Sequence, residues 1–278
     1  MNALLRLVRW LATVPGFRRL TTFTPLIRVS FTLRGTLVRS PIRFALNELR
    51  AGSVTASYRL RGSAQSIVLR HHTPDVLVLD EIFSQHEYSA PEAIEQALLG
   101  TTSLRVVDLG ANIGLFGAWV FSRYPGAQVV GIEADSGNAA VHERAQAEND
   151  LGERWTLIHA VASTEAGTAR ATEGDYTTAA FDADPEGDIV TIDVFPLLEN
   201  VDWLKIDIEG GEWSILTDER FRRLDAKVVV LEYHSRNCPT GDPNTAATAA
   251  LRNAGYNVSV GAAKPRFGAG LMWGLRLP

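Results

Sequence analysis

From about residue 104 onward, strand-like and helix-like segments alternate at intervals of about 10 to 15 residues, the spacing of βαβ units around a parallel sheet. Strands are predicted near 104–109, 128–133, 155–161, 201–208 and 227–233, with a closing pair near 257–261 and 271–277. Helices are predicted over 113–122, 136–149, 212–216 with a continuation toward Arg223, and 244–253. Ahead of this core, Val54–Gly62 and Ser66–His72 read as a hairpin, and "DVLVLDEIF" as a further strand leading into a short helix. The long polar segment between the third and fourth core strands is expected to add strands and a mobile loop around 182–188.

Two junctions in this pattern carry chemistry. In "WLKIDIEGGEWSIL", Leu204, Ile206 and Ile208 alternate with Lys205, Asp207 and Glu209, so one strand face is apolar and the other ionic. Gly210 and Gly211 then permit a tight turn into the helix that begins at Glu212. In "LRVVDLGANIGLFGAW", a strand ends in Asp108 and Gly110, Asn112, Gly114 and Gly117 follow as a helix starts, which lets backbone approach a ligand closely. A dinucleotide fingerprint would need glycine where Asn112 stands, and an acid two residues before Gly110 suits a cationic ligand better than a pyrophosphate. Glu133, ending the next strand at about the distance expected for a ribose-binding acid, is placed to accept hydrogen bonds from sugar hydroxyls. A nucleoside with a positively charged tail, S-adenosylmethionine, meets both conditions.

"VVDLGANIGLFGAW" resembles motif I of class I methyltransferases, and "WLKIDIEGGEWSIL" resembles the Lys-Ile-Asp-x-Glu-Gly-x-Glu signature of the FkbM family. "DVLVLDEIFSQHEYSAP", with Glu87-Tyr88, is similar to the same family's lead-in, and the likeness runs over about residues 65 to 277. The resemblance implies an α/β, Rossmann-like, mostly parallel seven-stranded sheet with helices on both faces. It implies that Asp108, Gly110, Asn112 and Gly114 hold the methionine part of the cofactor. Glu133 would hold the ribose, with Ala134 also among the cofactor-binding residues, "HAVAS" with Val161 would lie against adenine, and Asp207 would sit beside the amino-acid end and the acceptor. The acceptor implied is a hydroxyl of a natural product or glycan, such as a sugar or polyketide.

An alcohol acceptor must lose its proton, and Asp207, Glu209, Glu212, Glu232 and His234 all fall at the carboxyl ends of the fourth and fifth core strands, where ligands of open α/β sheets bind. His234 is preferred as the base because an unperturbed imidazole titrates near neutrality, with Asp207 and Glu232 beside it. Glu209, Glu212 and Tyr88 are expected to orient the turn or contact substrate, and Lys205 to neutralise the acids. The same oxygen-rich cluster could take a divalent ion, giving a metal-assisted methyltransferase; no metal is the favoured expectation. A nicotinamide-dependent oxidoreductase and a non-catalytic scaffold of the same fold are the remaining alternatives.

Charge is uneven: residues 1 to 50 hold nine arginines and one acid, Glu48, for +8, leaving −13 on the remainder of a chain whose total is −5. This divides the chain into a basic helical arm (1–52), a hairpin and lid-like lead-in (53–100) and the core (101–278). Arg6 and Arg9 interrupt the apolar start and argue against a signal peptide, while the single Cys238 excludes an intramolecular disulfide and fits a cytoplasmic setting. The longest run without Asp, Glu, Lys or Arg, Leu109 to Ser122, falls short of the roughly 18 residues of a membrane span. The arm is expected to dock on the body or on a second subunit of a homo-oligomer, or to touch a membrane surface; nucleic acid is not an expected partner.

Overall fold

The computed structural model describes residues 34–50, 52–172, 181–264 and 268–276. The expected helices of the arm up to residue 33 lie outside the described residues, as do 173–180 of the polar segment and residue 277 of the closing strand. Two compact units divide the chain, Met1–Gln85 and His86–Pro278.

In the first unit, α1 (Pro41–Leu49) precedes a hairpin of β1 (Thr55–Arg59) and β2 (Ser66–Arg70), antiparallel as expected. "DVLVLDEIF" is helical throughout, as α2 (Asp75–Phe83), and not the strand the apolar run suggested. Val76, Leu79 and Ile82 recur at helical spacing and are buried, a pattern that a short apolar run leaves ambiguous. The helix start is fixed by Asp75, whose carboxylate accepts the Arg70 amide at 2.9 Å and Arg70 Nε and Nη2 at 2.9 and 3.0 Å.

The second unit opens with α3 (Glu92–Leu99), followed by β3 (Arg105–Leu109), α4 (Leu115–Arg123), β4 (Gln128–Glu133), α5 (Ser136–Asn149) and β5 (Trp155–His159). After an excursion come β10 (Trp203–Ile206), α6 (Glu212–Thr217), a 3-10 turn at Glu219–Arg223, β11 (Val228–Tyr233), α7 (Pro243–Asn253), β12 (Asn257–Lys264) and β13 (Ala269–Leu275). The seven-stranded sheet runs in the order β12-β13-β11-β10-β3-β4-β5, and only the pairs made by β13 are antiparallel. This is the Rossmann-like α/β architecture expected. Strands such as Val228–Tyr233 are buried along their whole length, which is why they read as unbroken apolar runs.

The polar excursion supplies β6 (Val161–Ser163), β7 (Gly167–Ala171), β8 (Phe181–Ala183) and β9 (Ile189–Asp193), a separate sheet in the order β6-β9-β7-β8. The stretch expected to be a loop around 182–188 is β8 and a turn, tied by Asp184 to Arg170 at 2.7 Å. Between β4 on one side and β10 on the other, β3 is where the strand order reverses, and a crevice opens beyond the carboxyl ends of the strands at such a point.

Candidate active site

The turn after β3 is built from backbone that only glycine and asparagine adopt easily: Gly110, Asn112 and Gly114 have φ of 80°, 49° and 83°. Glycine at 110 is also demanded by space, since a Cβ there would lie 1.8 Å from the carbonyl oxygen of Asp207. Gly110 and Ala111 donate their amides to Ile132 O, and Glu133 accepts the amides of Asn112 at 2.7 Å and Asp135 at 2.8 Å. Burial raises the Glu133 carboxyl above its ordinary value although these hydrogen bonds oppose the rise.

Beneath this turn, Lys205 stands opposite Asp108 in the parallel register, and its ammonium bonds Asp108 Oδ1 at 2.9 Å and Gly110 O at 3.0 Å. It also lies 3.6 Å from Asp207 and over the ring of Phe116. Burial opposes the charge on Lys205, yet Asp108 and then Asp207 hold its pKa above the ordinary lysine value. Asp108, expected at the ligand, is fully buried and does not line the cavity; Oδ1 is held by Lys205, while Oδ2 has no hydrogen-bond partner among the described residues. Gly114 likewise does not line the cavity; a Cβ there would strike the His142 ring.

The turn after β10 concentrates acids. Asp207 leaves the strand, Glu209 follows with φ 52° and Gly210 with φ 103°; a left-handed glutamate is strained backbone of the kind that persists at functional sites. Glu212, expected to meet substrate, is fully buried: Oε2 accepts the Gly210 amide at 2.8 Å, and Oε1 accepts the His234 amide at 2.7 Å and faces His234 Nδ1 at 3.2 Å. The Trp213 indole donates to His234 O at 3.0 Å. His234 is thus clamped with Nε2 turned to Glu209 at 3.5 Å and Asp207 at 4.0 Å.

These charges bear on the expectation that His234 is the base. Burial works against its charged form, but Glu212, then Asp207 and Glu209, hold the imidazole up to about 9, so near neutrality it is a cation with no lone pair to accept a proton. Glu209 moves the other way: burial and the charge of Asp207 raise its carboxyl to about 7, against the pull of His234. Tyr88, also expected at the substrate, is buried edge-on against Phe116 and does not line the cavity. Asp207, Glu232 and His234 offer ligand atoms within 4.8 Å of one another; a divalent ion there would have to displace the His234 proton.

A cavity of about 580 Å³ joins the two turns. Of the expected residues, Gly110, Asn112, Glu133, Ala134, Val161, Asp207 and Glu209 line it, while Glu232 and His234 stand behind the acidic turn. Sequence reasoning missed Asn237 and Pro239, which close the cavity from the loop after β11, and Glu165, which the small sheet brings in. In "SRNCP" an asparagine two residues before a proline marked a turn, and in the structure Asn237 is left-handed with φ 56°. Among the described lining residues there are five acids, Glu133, Glu165, Asp182, Asp207 and Glu209, and neither lysine nor arginine.

Residues 108–258, more than half of the chain and including both turns, match the methyltransferase FkbM domain. The chain belongs to the FkbM methyltransferase family. No curated protein matches it by sequence. Solved structures similar to it include the methyltransferase FkbM from Methylobacillus flagellatus KT, at 17% identity and TM-score 0.46, covering 72% of this chain and 53% of that one. This chain therefore spans about half the length of that FkbM protein. M. jannaschii TYW2 in complex with AdoMet is similar at 13% identity and TM-score 0.43, over 82% of this chain and 90% of that one. Magnesium protoporphyrin IX methyltransferase from Synechocystis PCC 6803 with bound SAM is similar at 13% identity and TM-score 0.42, over 72% and 84%.

Proposed function

We propose that this FkbM-family chain transfers a methyl group from S-adenosylmethionine to a hydroxyl of a small natural product or glycan. The observation that carries the cofactor reading is the charge of the cavity: acids at both ends and no cationic lining residue among those described, which suits a ligand bearing a sulfonium and an ammonium and opposes a pyrophosphate. Bound there, S-adenosylmethionine supplies an electrophilic methyl group. Glu133 has carboxylate lone pairs for ribose hydroxyls, and Ile132, Ala134 and Val161 give an apolar wall for the base. Asp207, beside the Gly110 backbone, is set to attract the ammonium.

Methyl transfer asks the protein mainly for alignment, worth roughly 7 to 11 kcal/mol, and for a group that takes the acceptor proton. Glu209 fits the second role: it lines the cavity, its pKa is raised to about 7, and the charged His234 behind it stabilises the carboxylate until the proton arrives. The reading with His234 as base requires that imidazole to be neutral, and its acidic neighbours oppose this.

The test has two arms. Calorimetric titration should show S-adenosylhomocysteine binding and no NAD binding; NAD binding alone would sink the proposal. Labelled cofactor should then pass its methyl to members of a panel of hydroxylated metabolites and sugars, and transfer only to amines or carbon acids would overturn the O-methylation reading.

A further inference from the structure

Six large hydrophobic side chains are exposed among the described residues, and three of them, Ile42, Leu46 and Leu49, at 75%, 56% and 53% exposure, belong to the nine-residue α1. At about 100° per residue they form a single stripe about 60° wide, and the exposed Arg43 and Arg50 border it. The inward face is the polar one, with Asn47 and Glu48 buried beside Phe44. A surface helix ordinarily has the opposite arrangement.

A buried network fastens α1 in this sense. Asn47 Nδ2 donates to the Tyr58 hydroxyl at 2.6 Å, that hydroxyl meets His71 Nε2 at 2.6 Å, and His71 Nδ1 meets Glu48 Oε1 at 2.5 Å. Turning the helix to hide its aliphatic stripe would strand these groups, so no rotation of α1 against the described residues covers the stripe. Around it lies a shallow groove whose lining includes Arg39, Arg43 and Arg50 and no acid. The preceding residues continue the same composition: Arg6, Arg9, Arg18, Arg19 and Arg28 occur with Trp10, Phe17, Phe23 and Phe31 and without a single acid up to residue 33.

Aliphatic side chains flanked by guanidiniums match the boundary between phosphate headgroups and acyl chains, where the apolar stripe sinks in and arginine pairs with phosphate oxygens. We infer that α1 docks on an anionic membrane surface, burying Ile42, Leu46 and Leu49 with Arg43 and Arg50 at the lipid phosphates. The unit thereby holds the enzyme at a bilayer; no helix among the described residues is long and apolar enough to cross one.

The test is co-sedimentation of the full chain with phosphatidylcholine vesicles and with vesicles that also contain phosphatidylglycerol. Binding is expected to the anionic vesicles only and to weaken as salt is raised. Replacing the stripe together, Ile42→Ser, Leu46→Ser and Leu49→Ser, should lower the partition coefficient by on the order of tenfold or more, and Arg43→Gln with Arg50→Gln by several-fold. An unchanged melting temperature checks that these exposed sites leave the fold intact. Three outcomes overturn the inference: no binding to anionic vesicles, full binding by the triple serine variant, or a wild-type dimer that the triple variant loses.

Discussion

The turn after β3 and the turn after β10 leave the sheet side by side, both through left-handed backbone and both held by a buried carboxylate that accepts backbone amides. Glu133 ties the first and Glu212 the second. What surrounds those anchors differs. Around Glu133 the partners are neutral amides, while around Glu212 the chain gathers Asp207, Glu209, Glu232 and a charged His234. Amide-only ligation makes a rigid recognition surface. Crowded acids around one imidazolium make a site whose protonation is finely balanced, as proton transfer requires.

The sharpest way to break that contrast is Glu209→Gln, which keeps the volume and removes the proton acceptor. We expect methyl transfer to fall by about 10² to 10⁴-fold while S-adenosylhomocysteine affinity, measured by calorimetry, stays within about threefold. A large loss of cofactor affinity would place Glu209 with the recognition turn instead. Next in size is Lys205→Met, which leaves Asp108 buried without its counter-ion and should cost about 3 to 5 kcal/mol in denaturant unfolding. A cost below about 1 kcal/mol would show that the two turns stand without the shared ammonium. Gly110→Ala should follow at about 2 to 4 kcal/mol, because the added methyl meets the Asp207 carbonyl and forces apart the two strand ends.

Sequence made the recognition turn more legible than the chemical one, for a physical reason. Strand period, glycine positions and the distance from Gly110 to Glu133 are properties of neighbours along the chain, and they placed Gly110, Asn112, Glu133 and Asp207 at one cavity. Whether Asp108 faces ligand or Lys205, and whether Glu212 meets substrate or His234, depends on partners roughly 100 and 20 residues away, which periodicity does not encode. The helix at Asp75–Phe83 escaped for a related reason: nine apolar-rich residues fit either period, and the Arg70–Asp75 clamp decides between them only in space.

The smallest expected effect tests the clamp on His234. Its folded pKa, held up to about 9, exceeds the ordinary imidazole value, so its charge contributes stability that is fully present below about pH 6.5 and is lost as pH rises through 9. Glu209 acts in a lower window: with its carboxyl raised to about 7, the folded state binds the proton more tightly, and stability falls as pH rises from about 4.5 to 7. Between pH 7 and 9 the decline therefore belongs to His234. In Glu212→Gln the largest of the groups raising the His234 pKa loses its charge but keeps an oxygen for the Gly210 or His234 amide. The His234 titration followed by NMR should move toward 6.5, and the melting temperature should become flatter between pH 7 and 9 than in the wild type. An unmoved titration would mean that Asp207 and Glu209 suffice to hold the proton, making the acidic turn, not the buried anchor, the source of the imidazolium.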